Sequence, residues 1–314
     1  MASSVTTTSG YGSMSDSWAH RALLQRSKPN NVHNLFGMSF SLPQKSTDTM
    51  IFRRQENLNS DPVVLPEDAD PAPEQVLKFD ISVTPQEFGK VVLLSRKVLL
   101  VVEDDTANGT ADNLSQCMYT MLDKVTRDVW ASSVAQISCL NGTNGNAITE
   151  LTEEDISRAI AYLDENNTEK MTPTVDGVNR NGTAPVEAAF WAVAHVKLKS
   201  DLRALDNFVP TSTYGHQESV LQSEFGATDE ARWVTSTLVN VTTDSPPIYS
   251  NTFVGANAYG YVTIDEMATE MIMKPLGWND YLNRFQAMGF TAFFNAAILD
   301  DSHIVTLLST KGVA

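Results

Sequence analysis

The chain has 314 residues and carries 22 Lys and Arg against 38 Asp and Glu, a formal net charge of -16. Sequence-independent nucleic-acid binding and docking on an anionic bilayer both need a basic footprint, so the composition argues against both. With 42% hydrophobic residues a packed core is expected, in one large domain or two intertwined ones, leaving about 13,000 Å² exposed if the chain is compact.

Residues 1–17 are mostly Ser, Thr and Gly and have little to bury. Residues 18–47 carry scattered apolar anchors, among them Trp18, Leu23, Leu24, Leu35, Phe36, Phe40 and Leu42, with no sustained period. Such a segment folds only against something else, its own body or another copy. Residues 1–60 hold Arg21, Arg26, Lys28, Lys45, Arg53 and Arg54 against Asp16, Asp48 and Glu56, a net of +3 on a remainder of -19. A basic leading segment on an acidic body suits an arm lying on a neighbouring acidic surface.

Residues 49–58, with Phe52, Arg53 and Arg54, read as an extended strand. Residues 60–75 carry Pro62, Pro66, Pro71 and Pro73 with five acids, including Glu67, Asp68 and Asp70, and read as a loop or hairpin tip. Residues 76–83 alternate Leu77, Phe79, Ile81 and Val83 with polar or small partners, the period of a half-buried strand. Together 49–83 predict a β-hairpin with a wide tip, too thin to be stable without support. Two apolar runs at 91–94 and 98–102 are compatible with strand or buried helix.

A long helix is predicted over 112–138, capped by Asp112, with Leu114, Met118, Met121, Leu122, Val125 and Val129 on one face, roughly 40 Å in length. Asn141 to Gly145 stops it. A second helix is predicted over 153–166, with Thr152 as cap and Asp155 completing a capping box. Residues 170–185 are a polar break. Residues 188–195 then read as a buried strand and 197–206 as a short helix. Further strands are predicted over 232–242, 258–264 and 303–309. The class is α+β.

Catalytic constellations are missing from the sequence. There is no Gly-x-Ser-x-Gly, Walker-type Gly-Lys-Ser/Thr, His-Glu-x-x-His or Gly-x-Gly-x-x-Gly. The five histidines are dispersed, and the adjacent acid pairs Asp104-Asp105, Glu153-Glu154 and Asp300-Asp301 do not face one site. Cys117 and Cys139 are too few for a disulfide scaffold and have no zinc-ligand spacing. The start, Met-Ala-Ser-Ser-Val-Thr, lacks the apolar run of a secretory signal, and the longest apolar run, Ala188 to Ala194, is far short of a membrane span. The expectation is a soluble chain with no catalytic, cofactor or metal site.

Several motifs recur in a fixed order. Phe52-Arg53-Arg54, the Pro-rich acidic loop, Leu77 to Val83 and Phe88-Gly89-Lys90-Val91-Val92 lead into the long helix. Ala192-Val193-Ala194-His195 with Asp201-Leu202 follow, then Ser223-Glu224-Phe225-Gly226 and Arg232-Trp233-Val234. Ala258-Tyr259-Gly260-Tyr261-Val262, Lys274-Pro275-Leu276-Gly277, Gly289-Phe290-Thr291 and Ala296-Ala297-Ile298-Leu299 close the series. This order resembles the major capsid proteins of tailed bacteriophages, in particular the N-four-like branch of the HK-ninety-seven-type capsid fold, over roughly residues 49–310. Val196 stands where the family usually has Pro, and Ser223 where it usually has Gly.

The resemblance implies an N-terminal arm (1–47), an extended hairpin loop (48–90) and a peripheral domain (91–170) with spine helix 112–138. It further implies an axial domain (171–255) and a return to the peripheral domain with the C-terminal strand (256–314). The implied function is a structural subunit in the virion that self-assembles into hexamers and pentamers of an icosahedral head. That head would enclose double-stranded DNA without sequence-specific binding, with portal, scaffolding or decoration proteins as partners and no membrane. Phe52, Arg53, Arg54, Glu67, Asp68, Asp70, Phe79, Trp18 and Phe36 are the implied intersubunit contacts. An acidic enzyme of another class, or a decoration or tail protein, is the alternative.

Overall fold

The computed structural model describes residues 31–312, apart from 46, 57, 59, 63, 65–72, 102–105, 134, 174–186, 215–219, 222, 265–268 and 278–280. Trp18, Glu67, Asp68 and Asp70 lie outside the described residues.

Two sheets organise the chain. The first contains β1 (Met38–Leu42), β4 (Gln86–Ser95), β11 (Tyr259–Ile264), β12 (Thr269–Lys274) and β13 (Phe285–Ile298). β13 is its axis: β4 pairs along one side over Phe285 to Phe294, and β12 and β11 follow one another along the other. β1 adds in parallel to the outer edge of β11, with Met38 opposite Gly260 and Leu42 opposite Ile264. At Gly289 the β13 backbone lies so close to β4 that an added Cβ would meet the Lys90 carbonyl at 2.7 Å, so a larger residue there would force the strands apart.

A 26-residue helix, Thr106–Ala131, crosses one face of this sheet. Leu114, Met118 and Leu122 meet Met288, Phe290, Ala292 and Phe294, the alternate residues of β13. It follows the short helix α1 (Arg96–Val101) and is α2 here. Its predicted face and length hold, but it starts and ends earlier than the sequence suggests. Asp112 lies inside it rather than capping it. Beyond Ala131 the chain turns and Gln136–Ser138 becomes strand β5.

The second sheet has seven strands in the order β5-β14-β10-β6-β9-β8-β7. The remaining members are β6 (Phe190–His195), β7 (Val209–Pro210), β8 (Glu224–Thr228), β9 (Ala231–Ser236), β10 (Tyr249–Val254) and β14 (Ile304–Ser309). The seven-residue apolar run of the sequence is explained by β6. Phe190, Ala192 and Ala194 enter the core under α3 (Glu153–Glu165), whereas Trp191 and Val193 enter a second core between the two sheets. Thr152 caps α3 as predicted. Its hydroxyl accepts from the Asp155 N–H at 3.4 Å and donates to the Asp155 carboxylate at 2.8 Å.

The packing divides the chain differently from the expected boundaries. Helix α3 lies on the second sheet although the expected peripheral domain runs to 170, and the C-terminal strand β14 is also in the second sheet. Residues 86–90 of the expected loop are part of β4, and residues 31–42 of the expected arm are integral to the body.

Candidate assembly surfaces

The hairpin forms as predicted. β2 (Met50–Gln55) and β3 (Lys78–Val83) pair antiparallel, from Met50 opposite Val83 to Gln55 opposite Lys78. This register puts Met50, Phe52, Arg54, Phe79, Ile81 and Val83 on one face and Ile51, Arg53, Gln55, Lys78, Asp80 and Ser82 on the other. The support that a two-stranded ribbon needs comes partly from the chain itself. Val83, Ile81, Met50 and Phe52 pack with Phe40, Leu42 and Val262 of the first sheet, and the Phe52 and Phe40 rings lie 4.6 Å apart. Asn295 donates to the Thr84 carbonyl at 2.8 Å.

The two arginines have different partners. Arg53 donates twice across the hairpin to Asp80, at 2.7 and 3.0 Å. This hydrogen-bonded pair raises the guanidinium pKa and lowers that of the Asp80 carboxyl, but both groups are exposed and water screens them. Arg54 reaches back to Asp300, where β13 ends, and ties the ribbon to the body. Several apolar side chains among the described hairpin residues stay open. Phe79 is 51% exposed, Ile51 59% and Leu77 54%. Phe36, expected at an interface, lies in the chain's own core instead, stacked on Trp191 at 5.0 Å.

The first sheet has a second uncovered surface. Its face opposite α2 forms an apolar groove of about 630 Å³ that includes Val91, Leu93, Ile272 and Phe285, with Lys90 and Lys274 also lining it. Val91 is 65% exposed although apolar. Sequence reasoning missed this face because its strands pair over about 200 residues of separation. The unbroken apolar run Val91 to Leu94, which puts apolar side chains on both faces of β4, is the signal that could have shown it.

The thiol of Cys139 and the ring of His195 are tied into structure. Burial, with the charge of Asp155 beside it, pushes the Cys139 thiol far above its ordinary range, so it holds no thiolate. Burial, then Lys197, depresses His195, whose ring accepts from the Lys197 N–H at 3.1 Å and closes the turn after β6. The described residues contain no cluster of His, Cys, Asp and Glu suited to a metal, and no described helix is long and apolar enough to cross a membrane.

Solved structures settle the fold. The chain is similar to the capsid of Ralstonia phage GP4, with 13% identity over 98% of this chain and 99% of that one and a TM-score of 0.64. It is similar to the capsid of Cyanophage P-SCSP1u, with 10% identity over 95% and 94% and a TM-score of 0.65. The chain has the HK-ninety-seven-type capsid fold. The SrpI encapsulin of Synechococcus elongatus PCC 7942 also matches, with 10% identity over 91% of each chain and a TM-score of 0.55. No sequence-family profile matches the chain, and no curated protein matches it in sequence.

Proposed function

We propose that the chain is the major capsid protein of a tailed bacteriophage, a structural subunit that assembles into pentamers and hexamers of an icosahedral head. The end-to-end likeness to phage capsid chains carries this reading, and the uncovered hairpin and groove supply surfaces for repeated contacts. Shell contacts of this kind rest on burial and backbone pairing rather than chemistry. We place the chain in the N-four-like branch on its motif order. Portal, scaffolding and decoration proteins are its further partners in the virion.

The hairpin is the principal contact. Phe79 and Ile51 bury on a neighbouring subunit, and the acidic tip with Glu67, Asp68 and Asp70 meets a basic patch there. Arg53 and Arg54 hold the ribbon in the shape that reaches the neighbour. The net charge of -16 leaves enclosed DNA unbound along the wall, free to be spooled in and released.

Removing residues 60–74 tests the contact. The shortened chain should keep its circular-dichroism spectrum and cooperative unfolding but lose shells in electron micrographs. Particles of normal size and stability would refute the role of the hairpin.

A further inference from the structure

We propose that residues 31–42 act as a strap that fixes the angle between the two sheets, with His33 and Asp123 as its buckle. The chain crosses between the sheets at three connections, 132–135, 255–258 and 299–303. The strap is a further tie, and because it is noncovalent it can be released without breaking the chain.

The strap touches three elements within a few residues. The His33 N–H donates to one Asp123 oxygen at 2.8 Å, and its ring Nδ1 lies 2.7 Å from the other. Both side chains are buried, at 2% and 0% exposure. Among the described residues, both hydrogen bonds to this carboxyl group come from His33, so the buried polar group on α2 depends on the strap. The Thr126 hydroxyl, one helical turn further on, donates to the Asn34 side chain. The His33 ring sits edge-on to Trp130 at 4.8 Å.

Tyr259 at the start of β11 grips the same segment. Its hydroxyl donates to the His33 carbonyl and accepts from the Phe36 N–H at 3.2 Å. Gly37 lies against the Tyr259 ring so closely that any Cβ would overlap it. Phe36 then stacks on Trp191 of β6, in the second sheet. Val32, Phe36, Trp130, Trp191 and Tyr259 form one core cluster. Strap, helix and both sheets therefore share an interior, and the strap's share of it is held by polar clasps on α2 and β11.

In the sequence residues 1–30 precede the strap, and Val32, buried in the shared core, comes directly before His33. In a shell, on the function proposed above, the angle between the halves sets local curvature, and the strap would couple the N-terminal segment to it.

The test uses full-length chain with spin labels at Asn113→Cys on α2 and Asp164→Cys on α3, in a Cys117→Ser background. Labelled chain is diluted into excess unlabelled chain so that distances are measured within one molecule, assembled or not. Tyr259→Phe keeps the ring and removes the hydroxyl clasp; Asp123→Leu removes the buckle. Amide exchange over 31–37 should accelerate about tenfold or more, and the interlabel distance distribution should broaden. Should Asp123→Leu fail to fold, Tyr259→Phe carries both readouts. A distribution unchanged while 31–37 exchange quickly would overturn the strap, and so would unchanged protection of 31–37. Because both readouts are internal to one chain, they stand or fall separately from shell formation.

Discussion

Replacing Arg232 with methionine is expected to cost about 3–5 kcal/mol of unfolding free energy, because it strands a buried carboxylate. Arg232 on β9 faces Glu224 at the start of β8, with Nε at 2.8 Å from one oxygen and a terminal nitrogen at 2.7 Å from the other. The two side chains are 3% and 0% exposed. The guanidinium also lies over the Trp191 ring at 4.7 Å and near Tyr214 at 5.8 Å. Without it Glu224 keeps the Leu221 N–H at 3.1 Å as its other hydrogen-bond donor. Urea unfolding monitored by circular dichroism gives the loss as a lower midpoint at unchanged slope. Replacing Glu224 and Arg232 together by apolar residues should recover much of it, since no charge is then left unpaired. A single substitution costing under about 1 kcal/mol would show that the pair is not the buried bidentate described here.

Trp233→Ala should be of similar size, about 3–5 kcal/mol, for a different reason. Trp233 is fully buried in the core beneath α3, edge-on to Phe253 at 5.2 Å. Its indole N–H donates to the Thr228 hydroxyl at 2.6 Å. Alanine leaves a cavity in the middle of a seven-stranded sheet, where neither neighbouring strand can collapse without breaking its ladder. Trp233→Phe should cost about 1–2 kcal/mol, having kept most of the volume and lost the hydrogen bond. Equal losses for the two would mean that the polar contact, not the volume, decides the site.

Local signals were legible and distant pairings were not. Helix 153–165 was readable to within a residue because cap, acidic first turn and apolar face all lie within fourteen residues. Helix α2 was readable in its face but not its ends. Asn108 and Gly109 disguise its first turns as a loop, and Ile137 continues an apolar count after the chain has left the helix to pair with Leu307. The runs at 91–94 and 98–102 look alike in sequence. The first is strand because β13 pairs with it, and residues 98–101 of the second are helix. The orphan anchors Phe36, Phe40 and Leu42 found their cover in Trp191 and β11, some 150 to 220 residues away, while Leu35 stays exposed.

The candidate contact surface shows the same division. Alternation in 76–83 and the prolines before it revealed the hairpin. Nothing local separates Arg53, which stays on the ribbon, from Arg54, which anchors it to Asp300. Phe36 and Phe79 look equally like interface anchors in sequence, yet one is buried in the chain and the other remains exposed. The uncovered face of the first sheet required its pairing to be known.

Electron microscopy of the purified full-length chain, with sedimentation velocity on the same sample, tests the central claim most directly. The expected result is five- or six-membered rings or closed polyhedral shells. A monodisperse species of single-chain mass across the accessible concentration range would contradict a shell subunit.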